Sequence, residues 1–332
     1  MTARMRAAWY ERNGPAEDVL VVGECDMPQI GDGDVLVRIE SSGVNPSDVK
    51  SRAGRPLAFD RIIPHSDGAG TITQVGSKVS SARIGQRVWI WNGQWRRPMG
   101  TCAEFIAVPE AQAVALPDHI SFDAGACLGI PALTAWQAID YLGDIHGQKI
   151  LVIGAANAVG AYCTQMAALK GAHVIGTVGN SQKAQLAKDL GAADVINYKL
   201  QSTSDEIARI TDGQGVDAMI DMDFSTLDPL IASGALKRHG TIACYGSNGM
   251  GQVSFDFRTW LYYSINLRLF LVYDLTLEQR HAALSGLTEL LTRDKLKHQI
   301  GARFSLQEVA KAHQAVQSGS YMGNVIVTPA TK

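Results

Sequence analysis

Residues 149–160 read Lys-Ile-Leu-Val-Ile-Gly-Ala-Ala-Asn-Ala-Val-Gly. A charged residue leads into the apolar run Ile150 to Ile153, which breaks at Gly154, and small residues continue to Gly160 before a helical pattern begins. This is the strand–turn–helix that opens a dinucleotide-binding βαβ unit. A diphosphate is expected at the helix N-terminus, where free N–H groups and the helix dipole favour an anion. In the register of G-x-G-x-x-G the three positions are Ala155, Asn157 and Gly160, so two of the three glycines are replaced. A loop of this kind is a weak signal alone. Ala156, Asn157, Ala158, Val159 and Gly160 are the residues expected to line the diphosphate.

The segments downstream of this loop strengthen the reading. His173–Val178, Asp194–Tyr198, Val216–Met222 and Gly240–Gly246 are apolar or β-branched and read as strands. Ser181–Leu190, Ser204–Thr211 and Leu227–Lys237 have helical spacing. Strands alternating with helices imply right-handed crossovers and a parallel sheet covered on both faces. Ligands then bind at the carboxyl ends of the strands. Gly154–Gly160, Thr177–Ser181, Tyr198, Met222–Ser225 and Tyr245–Asn248 all fall there, which adds Tyr245, Gly246 and Ser247 to the candidate cofactor residues.

Charge after the second strand indicates which dinucleotide binds. An NAD-specific site places Asp or Glu about 20 residues past the glycine loop to bind the ribose 2′-OH. Ala161 to Lys188 holds no acidic residue. Instead Gly179-Asn180-Ser181 is followed by Lys183, and Tyr198 ends the next strand. With Ser181 as N-cap, this set offers a 2′-phosphate a cation, amide and hydroxyl donors and a helix N-terminus. NADPH is therefore the expected cofactor. The plain alternative leaves Ser181 as a cap and Lys183 as a solvated charge.

The 332 residues exceed a usual single domain, so two domains are expected. A net charge of −2 gives no reason to expect nucleic acid or an acidic membrane as partner. Five scattered cysteines, none in C-x-x-C spacing, read as small core residues in a reducing cytoplasm. The opening Met-Thr-Ala-Arg-Met-Arg leads to Trp9 without the apolar stretch of a signal peptide. Ile150 to Leu169 is uncharged for 20 residues, but its two glycines, Asn157 and Gln165 fit a buried strand and helix better than a membrane span.

Residues 1–125 read as all-β. The apolar segments Ala7–Tyr10, Val19–Val22, Val35–Ser41, Ala69–Val75, Arg87–Trp91 and Ala103–Val108 are separated by turn residues. Several motifs occur in order: Ser42-Gly-Val-Asn-Pro-Ser-Asp48, Pro64-His-Ser-Asp-Gly-Ala-Gly70, Arg83-Ile-Gly-Gln-Arg-Val88, Gly129-Ile-Pro-Ala-Leu-Thr-Ala135 and the 154–160 loop. Together they resemble the medium-chain dehydrogenase/reductase superfamily, in particular its zinc-free, zeta-crystallin-like quinone oxidoreductase branch, over about residues 6–328.

The resemblance implies an α/β chain: a Rossmann-type doubly wound parallel sheet at 128–268, a mainly-β GroES-like substrate domain at 1–127, and a return to that domain at 269–332. It implies a homodimer, for which Leu267–Tyr273, read as an apolar edge strand, is the expected contact. Zinc alcohol dehydrogenases of the superfamily carry Cys, His and Cys where this chain has Asn45, Ser66 and Ile130, so those ligand types are missing. His65 is a tempting substitute, although a lone loop histidine is more often a hydrogen-bonded structural residue.

The implied reaction is hydride transfer to a small electron acceptor, a quinone or a conjugated enone or enal, resting on proximity and on donors facing the developing oxyanion. Asn45 is the residue expected to reach substrate and nicotinamide. The resemblance gives Thr134 and Asn324 cofactor roles and makes Phe270, Leu271 and Val272 line the nicotinamide pocket. A Tyr of the family is replaced by Lys50, which is left as an enolate donor, a cofactor contact or a solvent-facing charge. Reduction of an enoyl thioester and a non-catalytic NADPH-binding role are the alternatives.

Two further features stay open. The segment Trp89–Met99, with three Trp and two Arg, is either an aromatic lid or a domain-edge or subunit contact. Asp217, expected in solvent, and Asp221 and Asp223, expected to accept hydrogen bonds from loops near the cofactor, are given no catalytic role.

Overall fold

A computed structural model describes residues 3–249 and 251–329. The chain divides into two compact units: Met1–Ile130 with His298–Lys332, and Pro131–Lys297.

In the first unit, β1 (Arg4–Trp9) and β2 (Val21–Asp26) pair antiparallel, with α1 (Ala16–Val19) between them. The long strand β3 (Asp34–Val44) leads through Asn45 into α2 (Pro46–Gly54), a helix with Pro at its first position, where no N–H is needed. β3 then pairs with β4 (Asp67–Val75) and with β6 (Phe105–Pro109), and β5 (Arg87–Ile90) joins β4 to β7 (Ala113–Ala115). Val35, Val37 and Ile39 alternate inward from β3 onto Ile72, Val88, Ile90 and Ile106. α3 (Phe122–Gly125) comes next. Five of the six expected strand segments overlap a strand by three residues or more, and Val19–Val22 overlaps β2 by its last two. The helix α2 was not expected.

The second unit runs α4 (Leu133–Leu142), β8 (Lys149–Val152), α5 (Ala158–Leu169), β9 (His173–Val178), α6 (Ser181–Asp189), β10 (Asp194–Asn197), α7 (Thr203–Ile210), β11 (Val216–Asp221), α8 (Leu227–Ala232), β12 (Leu236–Cys244), α9 (Phe257–Tyr263) and β13 (Asn266–Leu269). Its six strands are all parallel, in the order β10-β9-β8-β11-β12-β13. Chain order reverses between β8 and β11, the switch point at which such sheets bind ligands. Leu151, Ile175, Ile196, Met219 and Ile242 from successive strands form its core.

Three boundaries differ from expectation. The helix expected over Leu227–Lys237 stops at Ala232 because Gly234 takes a left-handed φ of 77°, and Leu236 already belongs to β12. The apolar strand expected over Leu267–Tyr273 is only β13, with a 3₁₀ turn at Val272–Asp274. The return to the first unit comes at His298, not at 269. β13 is hydrogen-bonded to β12, and α10 (Leu277–Thr292) presents Gly286 to the Trp136 ring of α4, so 269–297 stay with the parallel sheet.

The first unit then closes with β14 (Ile300–Ser305), α11 (Val309–Ser318) and β15 (Asn324–Thr328), the last pairing with β3. The capping boxes Thr276/Gln279 and Ser305/Glu308 both form. Among the described residues no helix is long and apolar enough to cross a membrane.

Candidate functional site

In the second unit the 154–160 loop compensates for its missing glycines. Gly154 has φ 74°, and Gly160 lies so close to it that a Cβ would strike the Gly154 carbonyl oxygen. Ala155 is accommodated because it faces Gly176 of β9, and Thr177 Oγ1 accepts a hydrogen bond from Gly154 N at 3.0 Å. Asn157, in extended backbone at φ −80°, caps α5 by position but not with its side chain. Its Nδ2 turns to the Met222 sulfur at 3.2 Å, across the switch point from β8 to β11. The Asn157 side chain is thereby engaged within the protein. Ala158, Val159 and Gly160 open a 12-residue helix with no side-chain cap, the arrangement that receives a diphosphate. Ala156 is buried behind them.

At the end of β9 one expectation is corrected. Asn180, not Ser181, is the N-cap of α6: its Oδ1 accepts the Lys183 N–H at 2.8 Å, and Ser181 is the exposed first residue of the helix. A Cβ on Gly179 would lie 2.8 Å from Tyr198 Oη and 3.5 Å from Lys199 Cε. Tyr198 and Lys199 thus both fold over the turn that holds Lys183. Lys199 was missed by sequence reasoning, although it directly follows the tyrosine. Neither lysine forms an ion pair among the described residues.

Tyr245, Gly246 and Ser247 follow β12 at the same end of the sheet. Phe270 stacks edge-on against Tyr141 and lies beside Tyr245, with ring centroids 5.4 and 6.2 Å away, while its N–H reaches Cys244 O. Leu271 is exposed and Val272 buried. Thr134 is buried in the first turn of α4. Asp223 does what was expected of it: its carboxylate takes Ser225 and Asn248, fixing the loops after β11 and β12. Asp221 is fully buried beside the Cys244 thiol, and burial pushes its carboxyl up to about 6. Asp217 is not in solvent. It lies within β11, accepts Lys149 N and pairs with Lys237 at 2.7 Å, tying the starts of three strands.

In the first unit Asn45 is buried between two carboxyl groups. Its Nδ2 donates to Asp67 Oδ2 and its backbone N–H to Asp48 Oδ2, each at 2.8 Å. Asp67 and Asp48 were not singled out from the sequence. Ser66 and Ile130 are also buried. His65 is a hydrogen-bonded histidine: Nδ1 meets Ser42 Oγ at 2.8 Å and Nε2 meets His313 Nε2 at 3.0 Å. Among the described residues no group of three or more His, Cys, Asp or Glu is placed to hold a metal. Asn324, at the start of β15, gives its amide Nδ2 to Gln299 O at 3.1 Å. Lys50 lies on α2, partly exposed.

The Trp89–Met99 segment folds onto its own unit. Trp89 is buried in β5, Trp91 Nε1 bonds Ala111 O, and Arg97 reaches Ala107 O, Asn92 O and Gln112 Oε1.

Comparison with known proteins matches both units. The alcohol dehydrogenase GroES-like domain family matches residues 31–118, and the zinc-binding dehydrogenase family matches 158–291. A human quinone oxidoreductase is 28% identical over 322 residues, covering 95% of each chain. A mycobacterial protein solved in complex with NADPH is 27% identical, with a TM-score of 0.86 over 98% of this chain and 100% of its own. An NAD-dependent alcohol dehydrogenase structure is also 27% identical with a TM-score of 0.86, over 98% of this chain and 99% of its own.

Proposed function

We propose that the chain is a member of the zinc-free, zeta-crystallin-like quinone oxidoreductase branch of the medium-chain dehydrogenase/reductase superfamily, and that it uses NADPH to reduce quinones or conjugated enones and enals. The observation that carries the proposal is the uncapped start of α5 at the switch point, with Gly160 held against Gly154 and the Asn157 side chain drawn to Met222. This is a fitted seat for a dinucleotide diphosphate.

When bound, the nicotinamide cofactor supplies the hydride. The chain's own residues bind and orient. The N–H groups of Ala156 to Gly160 hold the diphosphate. Gly179, Asn180, Ser181, Lys183 and Tyr198 take the 2′-phosphate, a preference supported by the absence of any acid from Ala161 to Lys188. Thr134, Tyr245, Gly246, Ser247, Asn324 and the backbone of Phe270, Leu271 and Val272 complete the cofactor seat. Asn45 contacts cofactor and acceptor, and Lys50, on the same helix α2 that Asn45 caps, serves as an enolate donor or a cofactor contact or else faces solvent. Where zinc relatives carry Cys, His and Cys, the residues Asn45, Ser66 and Ile130 offer no such ligand set.

A homodimer through the β13 edge belongs to the same reading. It is supported by exposed Phe257, Leu261, Tyr262 and Leu269, each more than 60% accessible on or beside that edge. A monomer in sedimentation equilibrium would contradict it. A cytoplasmic location is supported by five cysteines without disulfides. The functional test is turnover of NADPH and NADH against a benzoquinone, an ortho-quinone and a conjugated enal. NADPH oxidation by one acceptor class is expected; no turnover by any of the three would sink the reductase reading.

A further inference from the structure

Asn45 is reached by carboxyl groups from two different elements, Asp67 at the start of β4 and Asp48 in the first turn of α2. Asp67 is fully buried and Asp48 is 5% exposed, and neither forms an ion pair among the described residues. The groups facing Asp67 are the Asn45 amide, the Ile130 N–H, the Asp48 carboxyl and the Cys127 thiol; Asp48 is faced by Asn45, Arg55, Tyr10 and the Cys102 thiol. Gly129 is the cradle: a Cβ there would lie 2.4 Å from Asp67 Oδ1. Two carboxyls buried around one amide do not both ionise readily.

We propose that Asp67 is a positioning residue that holds Asn45 by its amide nitrogen, with Asp48 as the second, competing charge. This rests on the role given to Asn45 above. A carboxylate has no proton to give, so ionised Asp67 can only accept. It fixes one Nδ2–H inward and leaves the second for a ligand oxygen. A protonated Asp67 can donate as well as accept, and the amide loses that constraint. Burial pushes both carboxyls up, Asp48 to about 7 and Asp67 well above the ordinary range, and the Asp48 charge pushes Asp67 further. Asn45 is therefore aligned as pH rises through the titration of the pair.

The test reads Asn45 directly, in protein selectively labelled with ¹⁵N-asparagine and free of cofactor. Its side-chain amide signals, assigned by their absence from Asn45→Asp, are followed against pH. They are expected to move with an apparent pKa above the usual carboxylate range. In Asp48→Asn that pKa falls by about one unit, the effect of removing one close like charge, and in Asp67→Asn the dependence is lost. Acceptor turnover tracks the same curve: Asp67→Asn stays at the low-pH level of the wild type throughout, roughly 10-fold down. An Asn45 signal indifferent to pH, or unmoved by Asp48→Asn, overturns the inference. A signal that titrates as described in a protein without turnover leaves the positioning intact and removes the reductase reading instead.

Discussion

His65 and His313 meet Nε2 to Nε2 at 3.0 Å, with ring centroids 5.2 Å apart and neither side chain exposed. One nitrogen donates and the other accepts, and burial disfavours a charge on either ring. Burial pushes His313 down to about 3 and His65 well below its ordinary value. The left-handed backbone of His65, at φ 76°, is held by this pairing and by Ser42.

The pair makes stability depend on pH. Below about pH 6.5 the unfolded chain protonates these rings and the native protein does not. Their contribution is complete above that pH and is lost as pH falls, by up to about 1.4 kcal/mol per ring per unit. His313→Gln keeps a donor and an acceptor but cannot titrate. Urea unfolding at about pH 5 and about pH 7 should show a smaller acid loss in the variant than in the wild type. Equal losses in both proteins would contradict the assignment.

Gly160→Ala places a methyl group against the Gly154 carbonyl, which is backbone and cannot swing away. The expected cost is about 1–3 kcal/mol of stability. NADPH affinity should fall by roughly 10-fold or more, because the N–H groups of α5 move off the diphosphate. Fluorescence titration together with urea unfolding checks both. Wild-type affinity in a destabilised variant would place the diphosphate elsewhere.

Tyr198 and Lys199 lie over the Gly179 turn, and Lys183 stands in the first turn of the helix that follows it, its N–H held by Asn180. Removing one exposed cation from a phosphate contact costs about 1 kcal/mol, or roughly 5-fold. Lys183→Ala and Lys199→Met should each weaken NADPH binding by that factor, more at low salt than at high, and leave NADH unchanged. Equal weakening of both nucleotides would show that the lysines act on the fold and not on the 2′-phosphate.

The parallel sheet was legible because each strand is a short apolar run bounded by Gly or a cap, as Ile150 to Ile153 and His173–Val178 are. The helix α2 was hidden by its composition: Ser47, Asp48, Lys50 and Arg52 form no apolar stripe, and its start is marked only by Asn45 and Pro46. The Asn45–Asp67 contact spans 22 residues and the His65–His313 contact 248, so no local pattern announces either. Asn-Pro-Ser-Asp48 was a readable signal, since a carboxylate three residues past an Asn cap is a capping box. The length of the second unit was misread because Phe270 to Val272 look like a strand. Only their bonding to Cys244, and α10 behind them, keep that segment with the parallel sheet.

The most direct test of the central claim is a titration of the purified protein with NADPH and NADH, followed by single-turnover mixing with a benzoquinone. NADPH should bind at least roughly 10-fold tighter than NADH, and the bound NADPH should be oxidised when the quinone is added. Absence of NADPH binding would contradict the reading of the 154–160 loop. Tight binding with no oxidation by quinone or enal would leave the nucleotide site standing and contradict the reductase.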